Sequence, residues 1–268
     1  MDPLLDFHND EYAALKRQVD HLIATLPSAA EYEAAKGRMF AGFDPYVRFL
    51  TGATGAPAAT VRDALVELSD DRELFGMLDE GLQALAGYAR QGVRTGEIRI
   101  HAHTVYTIAR VMKPAVMIET GVANGKSSAL ILRALQKNGS GTLYSIDLPT
   151  RQETAAAADD GLLPTGRQPG WLVPGQLKGR WDLRLGDARE LLPKLRAEIG
   201  AADIFFHDSL HTYHHMRFEL TLANAWVRPG GTIMCDDIQD NHAFAEVSRG
   251  LSPVAFGTLG VYRAGRHA

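Results

Sequence analysis

The stretch VMIETGVANGKSS, residues 116–128, constrains the fold of this chain more than any other part of it. Val116, Met117 and Ile118 form an apolar run short enough for a buried strand. Glu119 ends the run, Gly121 and Gly125 frame a tight turn, and Ser127 and Ser128 open a series of good helix formers. Strand, glycine turn and helix in that order make the corner that receives nucleotide-like ligands in α/β proteins.

The pattern repeats downstream. Strands are expected over 115–119, 141–147 (GTLYSID), 181–187 (WDLRLGD), 202–208 (ADIFFHD) and 232–237 (TIMCDD). Helices are expected between them: 127–137, the run ARELLPKLRAEIG, and a long one over about 212–227. A short helix in AFAEVSRG precedes PVAFGTLGVYRAG, which reads as two short strands and a tight turn. Strands alternating with helices imply a parallel sheet covered on both faces. The expected fold class is therefore α/β: a doubly wound, Rossmann-like, mostly parallel seven-stranded sheet with an antiparallel C-terminal hairpin. Residues 1–100 read instead as a helical N-terminal region, a lid or an oligomerisation element, ahead of a ligand-binding domain over 101–268. Tyr12, Leu15, Val19, Leu22, Ile23 and Leu26 fall at helical spacing, and Ser28 with Glu31 matches a capping box. Segment 151–180 is rich in Gly, Pro and Ala; with Trp171, Leu172, Val173 and Pro174 it reads as a lid.

Composition narrows the function. With 28 Lys and Arg against 32 Asp and Glu, the net charge of −4 offers no basic footprint for nucleic acid. No window approaches a membrane span, and the acidic start MDPLLDFHNDEY lacks a signal-peptide layout. The lone Cys235 excludes an intrachain disulfide and a cysteine-based zinc site. The expectation is a cytoplasmic protein that handles a small molecule and, from the apolar stripes of its N-terminal helices, assembles into a homo-oligomer.

The corner itself chooses among ligands. A dinucleotide turn follows Gly-x-Gly-x-x-Gly, whereas here the run is Gly121-Val122-Ala123-Asn124-Gly125 with an acid two residues ahead. That acid disfavours a phosphate and favours a ligand with cationic and hydroxyl groups. S-adenosyl-L-methionine has both. Asp147, ending the second strand, is placed to accept its ribose hydroxyls. Asp187, after the third strand, is placed for the adenine edge, although an acid before ARELL is equally a helix N-cap. Glu119 acts on the ligand directly or by holding the turn.

The combination ETGVANGKSS, YSIDLP, RLGDA, FFHDSLHTYHHMRFEL and RPGGTIMCDDI resembles the class I S-adenosylmethionine-dependent methyltransferases. Within them it is most similar to the bacterial sugar and macrolide O-methyltransferase branch (methyltransferase family 24), and more distantly to catechol O-methyltransferase. The resemblance spans about residues 105–268. It implies cofactor contacts at Glu119, Gly121, Gly125, Ser127, Asp147, Asp187 and Asp208.

Asp208 ends the fourth strand, and Asp236 and Asp237 end the fifth, so three carboxylates meet at one rim. Like charges that close need a counter-charge. A divalent cation supplies it, and hard oxygen ligands suit Mg2+ or another divalent ion. The alternative is a protonated aspartate or a pairing cation such as Arg217. The resemblance maps the family's metal ligands onto Asp208, Asp236 and Asp237, and its general base, three residues past the first metal aspartate, onto His211. The implied reaction is methyl transfer to a hydroxyl of a small molecule, a sugar or a phenol. A metal-independent N- or O-methyltransferase and an NAD(P)-linked oxidoreductase are the alternatives.

Overall fold

The computed structural model describes residues 9–90, 100–148, 163 and 166–265. Five helices come first: α1 (Asn9–Thr25), α2 (Ala29–Gly42), α3 (Asp44–Thr54), α4 (Ala58–Ser69) and α5 (Arg72–Arg90). The capping serine is in place, since Ser28 Oγ accepts the amide of Glu31 at 3.1 Å and starts α2. Then α6 (His101–Met112) leads into β1 (Val116–Thr120), α7 (Lys126–Asn138) and β2 (Thr142–Asp147). A 3-10 helix (Gly175–Arg180) enters β3 (Trp181–Leu185), followed by α8 (Ala188–Ile199), β4 (Ala202–His207), α9 (Tyr213–Trp226) and β5 (Val227–Cys235). The chain closes with α10 (Ala243–Val247), β6 (Val254–Phe256) and β7 (Leu259–Arg263).

The seven strands form one sheet in the order β3-β2-β1-β4-β5-β7-β6, parallel except where β7 runs antiparallel to β5 and β6. This is the doubly wound sheet and hairpin expected from the pattern. The order in which successive strands are laid across the sheet reverses between the parallel neighbours β1 and β4, and ligands in open α/β sheets bind at the carboxyl ends of the strands at such a point.

Two apolar layers bury the sheet. On one face Met117, Ile204, Phe206 and Met234 pack with α6, α7 and the N-terminal helices. Phe256 meets the rings of Tyr46 and Tyr12 with centroids 5.4 and 5.9 Å away, so α1–α5 share a core with the sheet. On the other face Ile118, Phe205 and Ile233 pack with α8, α9 and α10.

Two details differ from the sequence pattern. The strand expected over 232–237 begins earlier, at Val227, so that Pro229-Gly230-Gly231 lies within β5, and the register with β4 shifts there. Gly231 is required because a Cβ would stand 2.5 Å from the Asp203 carbonyl oxygen. Much of the segment expected to be a lid, 151–162 with 164 and 165, lies outside the described residues. Its later part is not lid-like: Leu172 and Val173 are buried, and the amides of Gly170 and Leu172 donate to Ala123 O and Asn124 O at 2.8 and 3.0 Å. Trp171 Nε1 adds a bond to Asn124 Oδ1 at 2.6 Å.

Candidate active site

The glycine corner is built from the backbone outward. Gly121 and Gly125 have φ of +81° and +87°, the left-handed region open to glycine. Space matters as much as torsion. A Cβ on Gly121 would lie 1.9 Å from the carbonyl oxygen of Asp208, and one on Gly125 would lie 2.7 Å from the Cα of Gly170. Both glycines therefore admit other parts of the chain. Ala123 takes φ +45°, an unfavourable torsion for a residue with a Cβ.

Asp147 pins that strained turn. Its Oδ2 accepts the amides of Val122 and Ala123 at 3.0 and 2.7 Å, and its Oδ1 accepts that of Leu148 at 2.7 Å. Burial pushes its carboxyl above the ordinary range, against these three bonds. Asp147 thus faces the glycine corner. Glu119 and Ser127 sit behind the turn instead of in its mouth. Glu119 is buried and accepts the hydroxyls of Ser127, Ser128 and Ser145 at 2.9, 2.6 and 2.7 Å. Those bonds join β1 to the first turn of α7 and to β2, where Ser145 is the register partner of Glu119. Burial raises the Glu119 pKa to about 6. Asp187 is exposed and caps α8 by accepting the amide of Arg189 at 2.8 Å.

The acid rim begins one residue beyond β4. The Asp208 amide donates to Thr120 O at 2.9 Å, which seats Asp208 beside the corner. The three aspartates divide into two clusters. One ring nitrogen of His101 and one oxygen each of Asp208 and Asp236 lie within 4.8 Å of one another. His211, Asp237 and Asp240 form a second group of the same kind. Asp208 borders both: its Oδ2 is 3.8 Å from His101 Nε2, and its Oδ1 is 3.8 Å from His211 Nε2. His211 Nδ1 is 3.5 Å from Asp237 Oδ2. Burial and the neighbouring His207 hold the His211 pKa below the ordinary imidazole value, despite the pull of Asp237, Asp236 and Asp240. Either trio, with carboxylate oxygens and an imidazole, fits a divalent cation chemically. Arg217 lies 3.9 Å from Glu246 on the surface of α9, so the pairing considered for it with the rim is not made.

A buried network supports the rim from below. Glu219 of α9 accepts the Thr120 hydroxyl at 2.5 Å and that of Ser209 at 3.0 Å; His207 Nδ1 and His215 Nε2 lie 2.6 and 2.8 Å from its oxygens. Burial alone would raise the Glu219 carboxyl, but the two histidines hold it well below the usual carboxylate range. The His207 ring meets that of His211 edge-on at 5.4 Å. The sequence pattern had not indicated this network or His101. His101 precedes Asp208 and Asp236 by more than a hundred residues, and only the pairing of His101 with His103 in the first turn of the helix that feeds β1 hinted at it.

The exposed large apolar side chains among the described residues are Leu148, Leu185 and Leu210, at 61, 45 and 55 % exposure. They stand at the carboxyl ends of β2, β3 and β4, beside Asp147, Asp187 and Asp208. The ligand-binding end of the sheet thus offers apolar surface next to acids.

Comparison with known proteins matches residues 118–238 to a family described as a methyltransferase domain. No curated protein sequence matches the chain. Among solved structures, the O-methyltransferase from Bacillus cereus in complex with SAH is similar, with TM-score 0.50 and 16 % identity over 70 % of this chain and 90 % of that one. TomG from Streptomyces achromogenes, an O-methyltransferase involved in tomaymycin synthesis and bound to SAM, gives TM-score 0.51 and 18 % identity over 70 % and 91 %. At these identities the likeness is one of fold. Among the described residues no helix is long and apolar enough to cross a membrane.

Proposed function

We propose that the chain, whose residues 118–238 match a family described as a methyltransferase domain, is a class I S-adenosylmethionine-dependent methyltransferase that methylates a hydroxyl oxygen of a small molecule with the help of a divalent cation. The observation that carries this reading is the contact of Gly121 with the Asp208 carbonyl, which sets the glycine corner directly against a rim of carboxylates and imidazoles. The O-methyltransferase activity named for the two fold neighbours agrees with it.

The methyl donor brings an electrophilic sulfonium methyl. In this reading Asp147 accepts the ribose hydroxyls while bracing Val122 and Ala123, and Asp187 lies toward the adenine. Gly121, Gly125, Glu119 and Ser127 hold the shape of the turn around the donor. Asp208, Asp236 and Asp237 hold the cation, Mg2+ or another divalent ion, which when bound polarises the acceptor hydroxyl as a Lewis acid. His211 takes the hydroxyl proton as general base; its lowered pKa keeps the imidazole neutral and able to accept at neutral pH. Leu148, Leu185 and Leu210 supply apolar contact at the rim. The remaining rate enhancement is positioning of acceptor oxygen and methyl carbon. The acceptor is a hydroxylated molecule of sugar or phenol type, and the working unit is a homo-oligomer.

The test is a screen of hydroxylated sugars and phenols with S-adenosylmethionine labelled in its methyl group, run before and after exhaustive chelation. The expected result is label in a methyl ether, lost on chelation and restored by a divalent cation. Label on nitrogen, or full turnover without metal, would overturn the reading.

A further inference from the structure

Three facts about His101 stand apart from the reading above. It is the first residue of α6, on the side of the sheet covered by the N-terminal helices, whereas Asp208 and Asp236 follow β4 and β5. Its ring lies between the two aspartates, with Nε2 3.8 Å from Asp208 Oδ2 and Nδ1 3.8 Å from Asp236 Oδ2. These separations exceed a hydrogen bond. The two ring nitrogens point apart, so an ion takes only one of them, and one of them lies with an oxygen of each aspartate in a group whose atoms are all within 4.8 Å of one another. The 3.8 Å from Nε2 to Asp208 Oδ2 is what two donors show when each stands about 2.1 Å from one ion and they subtend about 130° at it.

The oxygens facing His101 are also oriented. Asp236 is fully buried, and its Oδ1 accepts the Thr258 hydroxyl at 2.7 Å, which leaves Oδ2 turned toward the ring. Asp208 turns Oδ1 to His211 and Oδ2 to His101. A hydroxyl that fixes the far oxygen of a ligating carboxylate is the usual outer support of a metal site.

We propose that His101 is a direct ligand of the cation held by Asp208 and Asp236, so that the site is a mixed nitrogen–oxygen set selecting a first-row transition ion over Mg2+. The proposal rests on the metal-assisted reading and specifies its ligands. Imidazole adds little for Mg2+, which prefers oxygen and keeps its waters, but it strengthens binding along the series from Mn2+ to Zn2+. It also ties the metal to the N-terminal half of the chain, since α6, which leads into β1, carries one of its ligands.

The experiment loads the full-length protein with Mn2+ and records electron spin-echo modulation from directly bound 14N. Wild type is expected to show nitrogen modulation that His101→Asn abolishes and His211→Asn leaves in place. In competition, His101→Asn should weaken Mn2+ and Co2+ by roughly tenfold or more and change Mg2+ affinity little. Titration with S-adenosylhomocysteine monitors the fold of each variant and is expected to be unchanged. Mn2+ bound without nitrogen modulation, or modulation that survives His101→Asn, overturns this inference while leaving a metal-assisted enzyme intact. Failure of every divalent ion to bind overturns the metal clause of the function and this inference with it.

Discussion

The Asp208 carbonyl occupies the place a side chain would take on Gly121, 1.9 Å from where its Cβ would stand. The donor corner and the acid rim are thus two sides of one backbone contact. Gly121→Ala is expected to destabilise the protein by about 3 kcal/mol or more, because a left-handed torsion and a backbone clash coincide there. Ala123→Gly makes the contrast. It relieves an unfavourable torsion worth about 1–2 kcal/mol but loosens the unfolded chain by a similar amount, so little net change is expected. Denaturant unfolding of both variants checks the pair; equal effects would contradict the geometry.

The serine clamp predicts a pH effect on stability. Glu119 is fully buried, and its pKa rises from 4.5 to about 6 on folding. Below pH 4.5 the carboxyl is protonated in both states and its contribution is fully present. As pH rises toward 6 the unfolded chain releases the proton while the native one retains it, so stability falls through that window. The loss is about 2 kcal/mol at ~1.4 kcal/mol per pH unit. Glu119→Gln should flatten this part of the unfolding profile, its one amide oxygen still accepting from the serines while its NH2 donates to a serine hydroxyl oxygen. An unchanged slope would show that Glu119 does not titrate there.

A second buried cluster joins the N-terminal helices to the corner. The Glu33 carboxylate pairs with Lys36 at 2.9 Å and with Lys126, the residue immediately after Gly125, and His103 Nε2 lies 3.0 Å from its carbonyl. Burial lowers the Lys36 pKa to about 7 even with Glu33 beside it. Glu33→Ala leaves Lys36 without its carboxylate and should cost about 3–5 kcal/mol. Replacing both with apolar residues, Glu33→Met with Lys36→Met, should cost less than the single change. Thermal unfolding distinguishes the two, and a larger loss in the double variant would contradict the account.

His211→Ala should lower kcat by roughly 10²–10⁴-fold, the range for a lost general base, with donor affinity unchanged. Single-turnover kinetics with the acceptor from the labelled screen measures it. An unaltered rate would move the proton acceptor elsewhere on the rim.

The class of the sheet and the corner were legible because both rest on local pattern: short apolar runs, glycine punctuation and acids at strand ends. The positions of Asp147 and Asp208 at the ends of β2 and β4 were readable for the same reason, each being the acid that follows its strand's apolar run. Glu119 was visible as a corner residue, but its serine partners depend on the parallel register of β1 with β2 and on the approach of α7, which spacing alone does not give. The division of Asp208, Asp236 and Asp237 between two imidazoles was equally hidden. Asp236 and Asp237 are adjacent in sequence, yet Asp237 has φ +49° and joins His211 and Asp240. His101 and Glu33 carry no local signal, because their partners arrive through packing of the N-terminal helices on the sheet.

The central claim is that an adenosyl sulfonium donor sits in the corner braced by Asp147. Calorimetric titration of S-adenosylhomocysteine and of NADH into wild type and Asp147→Ala tests it most directly. The account predicts saturable binding of S-adenosylhomocysteine to wild type, marked weakening in Asp147→Ala, and no binding of NADH. Binding of NADH in place of S-adenosylhomocysteine, or full S-adenosylhomocysteine affinity in Asp147→Ala, would contradict it.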